Sequence, residues 1–323
     1  MDKESYLIIG QRLTSRVEAL EEYLKTRSDK VSTIGFKPLG TALGSHVLTF
    51  TLRLVLFTLK TPFRKKTGAV VGVSHFNGLL ALITRCFGKA DKVIYYCLDF
   101  YRVDGYKQMI ENWLDKFVAK HADEVWDISP RIRKARNTVN SKIVPLGYDK
   151  SFYRNNHSIE DDLVFVGVVH KQQGFDLLKS VPIQFDISVI GDGPYLKELM
   201  AHNNRNFKFY GFIKDVDEML NIVSHCRIGV SLWSDKGNSY YGDPGKTKLY
   251  LVCGIPVICS KHTVFAKVIE RENAGIVIGY SQKEFIRAYI SIMTNYKLYK
   301  KNALRVAKEY CSAERIFDEA FRA

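Results

Sequence analysis

The chain has 323 residues, 46% of them hydrophobic and 25% charged, with a formal net charge of +14. That composition excludes a disordered tail, a collagen-like repeat and a disulfide-stapled miniprotein, and its length suits two α/β domains of ordinary size. Residues 1–150 hold 25 Lys and Arg against 15 Asp and Glu, so ten of the excess positive charges fall in the first half, whose partner is expected to be anionic.

The opening stretch MDKESYLIIGQR lacks the basic start and cleavage site of a secretory signal. Six cysteines (Cys86, Cys97, Cys226, Cys253, Cys259, Cys311) form no CxxC pair and sit mainly in apolar segments. They read as reduced core thiols, which predicts a cytoplasmic protein.

Taken in order, the first predicted strand is Tyr6–Ile9. Val47–Leu59 (VLTFTLRLVLFTL) is strongly apolar, is interrupted by Arg53, and is followed by Lys60, Arg64, Lys65 and Lys66. It is too short and too charged to span a bilayer. Two readings stand: an interfacial helix lying on an anionic membrane, or an amphipathic helix packed on a sheet. Strands are predicted at Ala69–Ser74, Lys92–Leu98, Glu124–Ile128 and Lys142–Leu146, with helices over Asp104–His121 and Pro130–Val139. The polar stretch Gly147–Asp161 reads as a linker. Beyond it, strands are predicted at Leu163–Val169, Asp186–Ile190, Phe207–Tyr210, Gly229–Leu232, Pro256–Cys259 and Gly275–Ile278. Helices over Tyr195–His202 and Val216–His225 alternate with them, and the chain is helical from Gln282 onward.

Many of these strands are continuous apolar runs, the mark of parallel strands covered on both faces. The expected architecture is α/β, with two doubly wound, Rossmann-like domains facing each other across a cleft. The first would span residues 1–150 and the second 151–300, with helices over 301–323 packing back on the first.

In open α/β sheets ligands bind beyond the carboxyl ends of the strands, so the loops there are the ones to inspect. Four strand ends carry small residues or cations: Gly167, His170 and Lys171; Gly191 and Gly193 around Asp192; Gly211; and the loop WSDKGNSYYGDPGK. In YYGDPGKTKLYLVCGIPVICS, Asp243 suits an N-cap, Pro244 the first helical position, and Gly254 the stop. Lys246 then falls in the first turn of a helix, where a cation is unfavourable unless an anion joins it. Gly245 leaves room for that anion to approach the backbone. A nucleotide diphosphate suits these loops, and the bland alternative is a solvated surface lysine. At the end of IYYCLDF, Asp99 is a candidate base, or else a carboxylate capping or pairing with Arg102. His75 at the next strand end reads as structural. Asp215 and Asp217 open a helix and read as capping residues, not metal ligands. Arg131, Arg133, Lys134 and Arg136 read as a solvated helix face, and no nucleic acid is expected.

The ordered series VFVGVVHKQQGFDLL, VIGDGPYLKEL, FYGFIKDVDEML and DPGKTKLYLVCGIPVI resembles the C-terminal domain of GT-B-fold glycosyltransferases, particularly the family-4-like retaining enzymes. VPLGYDKSFYR looks like their segment at the domain junction, and the resemblance runs over about residues 142–280. In the first half, IYYCLDF and ADEVWDISPRIRKAR are similar to the membrane-associated glucuronosyltransferase of xanthan-type polysaccharide assembly and to galactofuranosyltransferase-like proteins. The resemblance implies a metal-independent, cofactor-free transferase taking a sugar from a nucleotide-sugar, foremost a UDP-sugar, to a glycan or lipid-linked acceptor. It assigns donor binding to Gly167, His170, Lys171, Gly191, Gly193, Gly211, Asp243, Gly245, Lys246 and Tyr250. It also implies peripheral contact with the cytoplasmic face of an anionic membrane.

The sequence departs from that family where its ribose-binding glutamate is expected, and Leu249 stands there. The family's other glutamate corresponds to Tyr241, with Asp243 close by. Lys171 alone represents the diphosphate cations of the first loop, which shifts more of that task onto Lys246. Leu98 replaces the histidine that retaining relatives place beside Asp99, which tilts the expected outcome towards inversion. Two rivals remain at this point: a sugar-nucleotide epimerase on the same fold, and a non-catalytic basic scaffold that binds membrane or RNA.

Overall fold

The computed structural model describes residues 4–11, 15–36, 43–100, 105–137, 140–148, 161–180, 185–201, 207–233 and 240–322. The chain divides into two compact units, Met1–Pro145 with Ala313–Ala323, and Leu146–Ser312.

The first unit holds the strands β1 (Tyr6–Gln11), β2 (Val31–Phe36), β3 (Thr67–Val73), β4 (Ala90–Cys97), β5 (Glu124–Asp127) and β6 (Ser141–Ile143). Its helices are α1 (Ser15–Arg27), α2 (Leu43–Lys60), α3 (His75–Cys86), α4 (Tyr106–His121) and α5 (Pro130–Arg136). All six strands run parallel in the order β2-β1-β3-β4-β5-β6, with registers such as Ile8 opposite Thr33 and Val71. The second unit holds β7 (Asp161–Val166), β8 (Ile187–Ile190), β9 (Phe207–Gly211), β10 (Cys226–Ser231), β11 (Val257–Ser260) and β12 (Gly275–Ile278). Between and after these lie α6 (Phe175–Ser180), α7 (Leu196–Ala201), α8 (Val216–Ser224), α9 (Gly245–Val252), α10 (Ala266–Arg271), α11 (Gln282–Thr294) and α12 (Tyr296–Tyr310). The chain ends in α13 (Ala313–Arg322), which belongs to the first unit.

The second sheet is parallel in the order β12-β11-β10-β7-β8-β9. Its first strand is therefore flanked by β8 on one side and β10 on the other, and the direction of winding reverses between β7 and β10. That is the topological switch point at which such sheets bind ligands. Both faces are covered. Leu163 and Phe165 point into one core, and Val164 points into the other with Tyr250, Val257 and Val306. Every residue of β8 and β11 is buried, which explains why they are mainly apolar and do not alternate.

The predicted strands correspond to β1 and β3–β12. The strand β2 was not anticipated. Its sequence VSTIGF lies at the sheet edge and none of its residues is fully buried, so tertiary pairing and not hydrophobic pattern makes it a strand. The strand predicted over Leu163–Val169 stops at Val166, because Gly167 leaves the ladder with φ 130°. Residues 301–312, expected among the returning helices, stay with the second unit because Ala303, Val306, Ala307 and Cys311 lie in its core. Only α13 lies against the first sheet, where Phe317 and Phe321 pack against Tyr23 and Trp126. Residues 149–160 of the expected linker, Arg102, and residues 234–239 of the loop before Asp243 lie outside the described residues.

The expected solvated face of α5 is corrected at Arg136. Its guanidinium is buried, donating to Asp115 at 2.6 and 2.9 Å and to Asp127 at 2.5 Å, while Arg133 is turned to Ser141. Two buried carboxylates need such a partner, because an unpaired charge inside a core costs several kcal/mol, about 3–5 when one member is removed.

Candidate active site

The site is built at the carboxyl edge of the second sheet. At the end of β7 the chain turns through Gly167, and at the end of β8 through Gly191, φ 130° and 139°. A Cβ on Gly191 would stand 1.9 Å from the Gly167 carbonyl oxygen, and one on Gly193 would stand 2.3 Å from that of Val169. The two loops are thus in backbone contact, and only glycine permits it. Gly167 N–H donates to Ile190 and Gly191 N–H to Gly211, so three neighbouring strand ends are stitched into one rim.

Across the switch point, α9 begins at Gly245 with no side chain capping it. The first-turn N–H groups of an uncapped helix end carry partial positive charge and accept an anion readily. Thr247 donates to Ser231 at 2.7 Å and fastens that turn to the end of β10. Lys246 extends from it over the end of β7, its Nζ 4.0 Å from the centroid of the Phe165 ring and 4.8 Å from that of Trp233. Nζ donates to Gln173 Oε1, and its Cε and Nζ lie 3.6 Å from where a Cβ on Gly167 would be. Among the described residues no carboxylate forms an ion pair with it. The ammonium is desolvated, and burial pushes its pKa down to about 7. A cation held between two rings beside an uncapped helix start, with no carboxylate paired to it among the described residues, has the chemistry to receive an anion.

Several predicted members belong elsewhere. Asp243 is not a cap and does not face a ligand. It is buried, paired with the fully buried Lys248, and accepts the Leu146 N–H at 2.7 Å. Tyr250 is a core residue: its hydroxyl accepts from Val166 N–H at 2.9 Å and donates to the Val230 carbonyl at 3.2 Å, bridging β7 and β10 where they meet. Burial holds its phenol well above the usual value. Lys171 turns to α7, 4.0 Å from Glu198 and over the Tyr195 ring, so its charge is matched by a carboxylate. His170 opens the short turn Lys171–Gln173, its carbonyl accepting the Gln173 N–H. Asp215 caps α8, accepting from Asp217 N–H at 2.8 Å and Glu218 N–H at 3.2 Å, as its sequence position predicts. Sequence reasoning missed Gln173, Trp233 and Phe165. The signal for Trp233 was its place directly after a predicted strand.

In the first unit, Asp99 is exposed beyond the end of β4. Burial raises the pKa of Glu111 on α4, with the charge of Asp99 adding to the rise, and burial lowers the pKa of His75 at the start of α3, opposed by the charges of Asp115 and Asp99. Ser74, just before His75, is held at φ 71°. Asp99, His75 and Glu111 thus cluster at the carboxyl edge of the first sheet.

Residues 163–310, which lie within the second unit, match the family model of the glucosyltransferase 3-like C-terminal domain. The chain has the GT-B fold. Solved structures share its fold across nearly its whole length. Anabaena HepE, in complex with UDP-glucose, aligns with TM-score 0.75 at 14% identity over 98% of each chain. Sucrose-phosphate synthase from Thermosynechococcus elongatus gives 0.74 at 14%, over 99% of this chain and 98% of that one. The lipopolysaccharide outer core galactosyltransferase WaaB gives 0.66 at 13%, over 98% and 99%. No curated protein matches this sequence.

Proposed function

We propose that this protein is a glycosyltransferase that takes a sugar from a UDP-sugar held by the second unit and transfers it to a glycan or lipid-linked acceptor. The observation that carries the reading is Lys246: a desolvated ammonium without a carboxylate partner among the described residues, set at an uncapped helix start on the switch point of the sheet. Transfer leaves a nucleoside diphosphate whose charge grows as the glycosidic bond breaks. A fixed ammonium and oriented N–H groups in a water-poor rim stabilise that charge without reorganising. The complexes of HepE with UDP and with UDP-glucose support the choice of nucleotide.

Of the rim glycines in the proposed donor site, Gly167 and Gly211 leave room for the nucleotide to approach the backbone, while Gly191, Gly193 and Gly245 permit the close packing that shapes the rim. We assign the acceptor's proton to Asp99, exposed and next to His75 and Glu111, as the base an inverting transfer needs. The test is calorimetry with UDP-glucose. Lys246→Ala should lower affinity at least about tenfold, the scale of losing a charge-assisted contact of about 1.5–3 kcal/mol. Unchanged affinity sinks the assignment. Conversion of UDP-glucose alone, with no acceptor added, marks an epimerase instead.

Peripheral attachment to an anionic membrane is part of the proposal. No described helix is long and apolar enough to cross a bilayer. Yet α2 presents Leu52, Val55, Leu56 and Leu59 to solvent, and Phe63 just after it is 89% exposed. After α3 in the chain, α4 presents Tyr106, Met109, Ile110, Trp113 and Phe117 at helical spacing. Lys60, Lys65, Lys66, Lys107, Lys116 and Lys120 flank these apolar groups. The free cysteines, five of them buried, support a reducing, cytoplasmic setting.

A further inference from the structure

The chain passes from the first unit to the second at Pro145–Leu146 and returns at Ser312–Ala313. Both crossings are held by residues that immediately surround Lys246. Leu146 is clamped at both of its backbone polar groups: its N–H donates to Asp243 Oδ2 at 2.7 Å, and its carbonyl accepts from Lys248 Nζ at 2.7 Å. Tyr148 donates its hydroxyl to the Gly245 carbonyl at 2.9 Å, and its N–H to the Cys311 carbonyl at 2.8 Å, beside a bridge between Tyr148 and Ser312. A Cβ on Gly245 would stand 2.9 Å from Leu146 Cδ2.

The Asp243–Lys248 pair is fully enclosed, with Lys248 also lying over the Phe265 ring. Burying two charges is expensive, and an apolar pair of similar volume commonly serves stability as well or better. What an apolar pair cannot do is hold one backbone residue by both its donor and its acceptor. The pair therefore does a geometric task, and the helix start it fixes is the one that bears Lys246.

We propose that Asp243 and Lys248 are positioning residues of the donor site, which tie the PGK turn to the first chain crossing at Leu146, while Tyr148 links Gly245 to the second, and so couple diphosphate occupancy at Lys246 to the order of those crossings. The proposal rests on the donor reading of Lys246. If two sites are coupled, each biases the other by the same free energy. Ligand at Lys246 then suppresses the local opening that lets the Leu146 and Tyr148 amides exchange with solvent.

The experiment is residue-resolved hydrogen–deuterium exchange on the full chain with and without saturating UDP, paired with calorimetry on the same samples. The expected result is slowing of the Leu146 and Tyr148 amides by about fivefold or more, within the usual range of coupling. Asp243→Asn should abolish that slowing while raising the Kd for UDP about tenfold. If UDP binds by calorimetry and these amides exchange unchanged, the coupling is wrong and the donor reading survives. If UDP and UDP-glucose both fail to bind, the donor reading falls and the coupling with it. Should Asp243→Asn fail to fold, the exchange measured on the unaltered chain decides alone.

Discussion

Lys246 Nζ lies 4.0 Å from the centre of the Phe165 ring, and its charge is met by the face of that ring and of Trp233, with no carboxylate opposing it among the described residues. Phe165 is the last residue but one of β7, at the switch point, so the strand that opens the second sheet also supplies the floor of the proposed anion site.

A pH dependence follows from that arrangement. Burial lowers the Lys246 pKa from 10.5 to about 7 in the free protein. A diphosphate restores the counter-charge and raises it again, so binding takes up a proton above pH 7. Affinity for UDP-glucose, whose diphosphate diester does not itself titrate near neutrality, should be level below pH 7. It should weaken as pH rises above 7, by up to about tenfold per unit. Calorimetry in two buffers of different ionisation enthalpy reads the proton uptake directly. A flat affinity from pH 6 to 9 contradicts the assignment. The same depression makes the free protein gain stability between pH 7 and the unfolded value of 10.5, because there the unfolded chain holds the extra proton.

Tyr250→Phe separates a core role from a ligand role. Its hydroxyl serves Val166 on β7 and Val230 on β10, and without it both backbone groups lose a partner inside the core. Stability should fall by about 1–3 kcal/mol, read by chemical denaturation, while UDP affinity stays within about twofold. A loss of affinity at unchanged stability would return Tyr250 to the binding site.

The fold was legible where burial and sequence pattern coincide. Ile187–Ile190 and Val257–Ser260 are buried at every position, and they announce themselves as mainly apolar runs in which the lone serines Ser188 and Ser260 are buried too. Val31–Phe36 is not, since an edge strand of Ser, Thr and Gly carries no such signal and is recruited by pairing with β1. The site was half legible. Lys246 declared itself by standing against the helix dipole, a local argument. The roles of Asp243 and Tyr250 depend on Leu146 and Val166, partners 97 and 84 residues away, and no local pattern encodes them. Leu249, standing where the resembled family has a glutamate, is buried among apolar neighbours.

Two glycines of the rim should respond differently to alanine. At Gly191 the new methyl group would meet a backbone oxygen at 1.9 Å with φ 139°, and neither the oxygen nor the backbone can move aside. At Gly211 nothing lies within 4 Å, and only φ 66° opposes the change. Gly211→Ala should cost about 1–2 kcal/mol, the usual left-handed penalty. Gly191→Ala should cost more than that, and displace Gly167 enough to weaken UDP-glucose binding about tenfold, since misplaced contacts are felt steeply. Thermal denaturation with and without UDP-glucose compares the two, and equal costs would mean that the contact between the loops is not tight.

The apolar faces of α2 and α4 make the membrane proposal divisible. Trp113 is 63% exposed and Phe63 is 89% exposed, and they belong to helical segments on either side of α3. If both faces enter one lipid surface, Trp113→Ser and Phe63→Ser should each reduce flotation with anionic vesicles, and the double variant should reduce it further. Lysine-driven attraction is screened within about 10 Å at 0.1 M salt, so binding should weaken as salt rises, with a remainder from the buried rings. Vesicles of neutral lipid should bind less than anionic ones at low salt, because about 1 kcal/mol per flanking lysine is then missing. Absence of flotation at low salt rejects the attachment. In that case, a concentration-dependent rise in mass by light scattering, lost in Trp113→Ser, would assign the α4 face to a second copy of the chain.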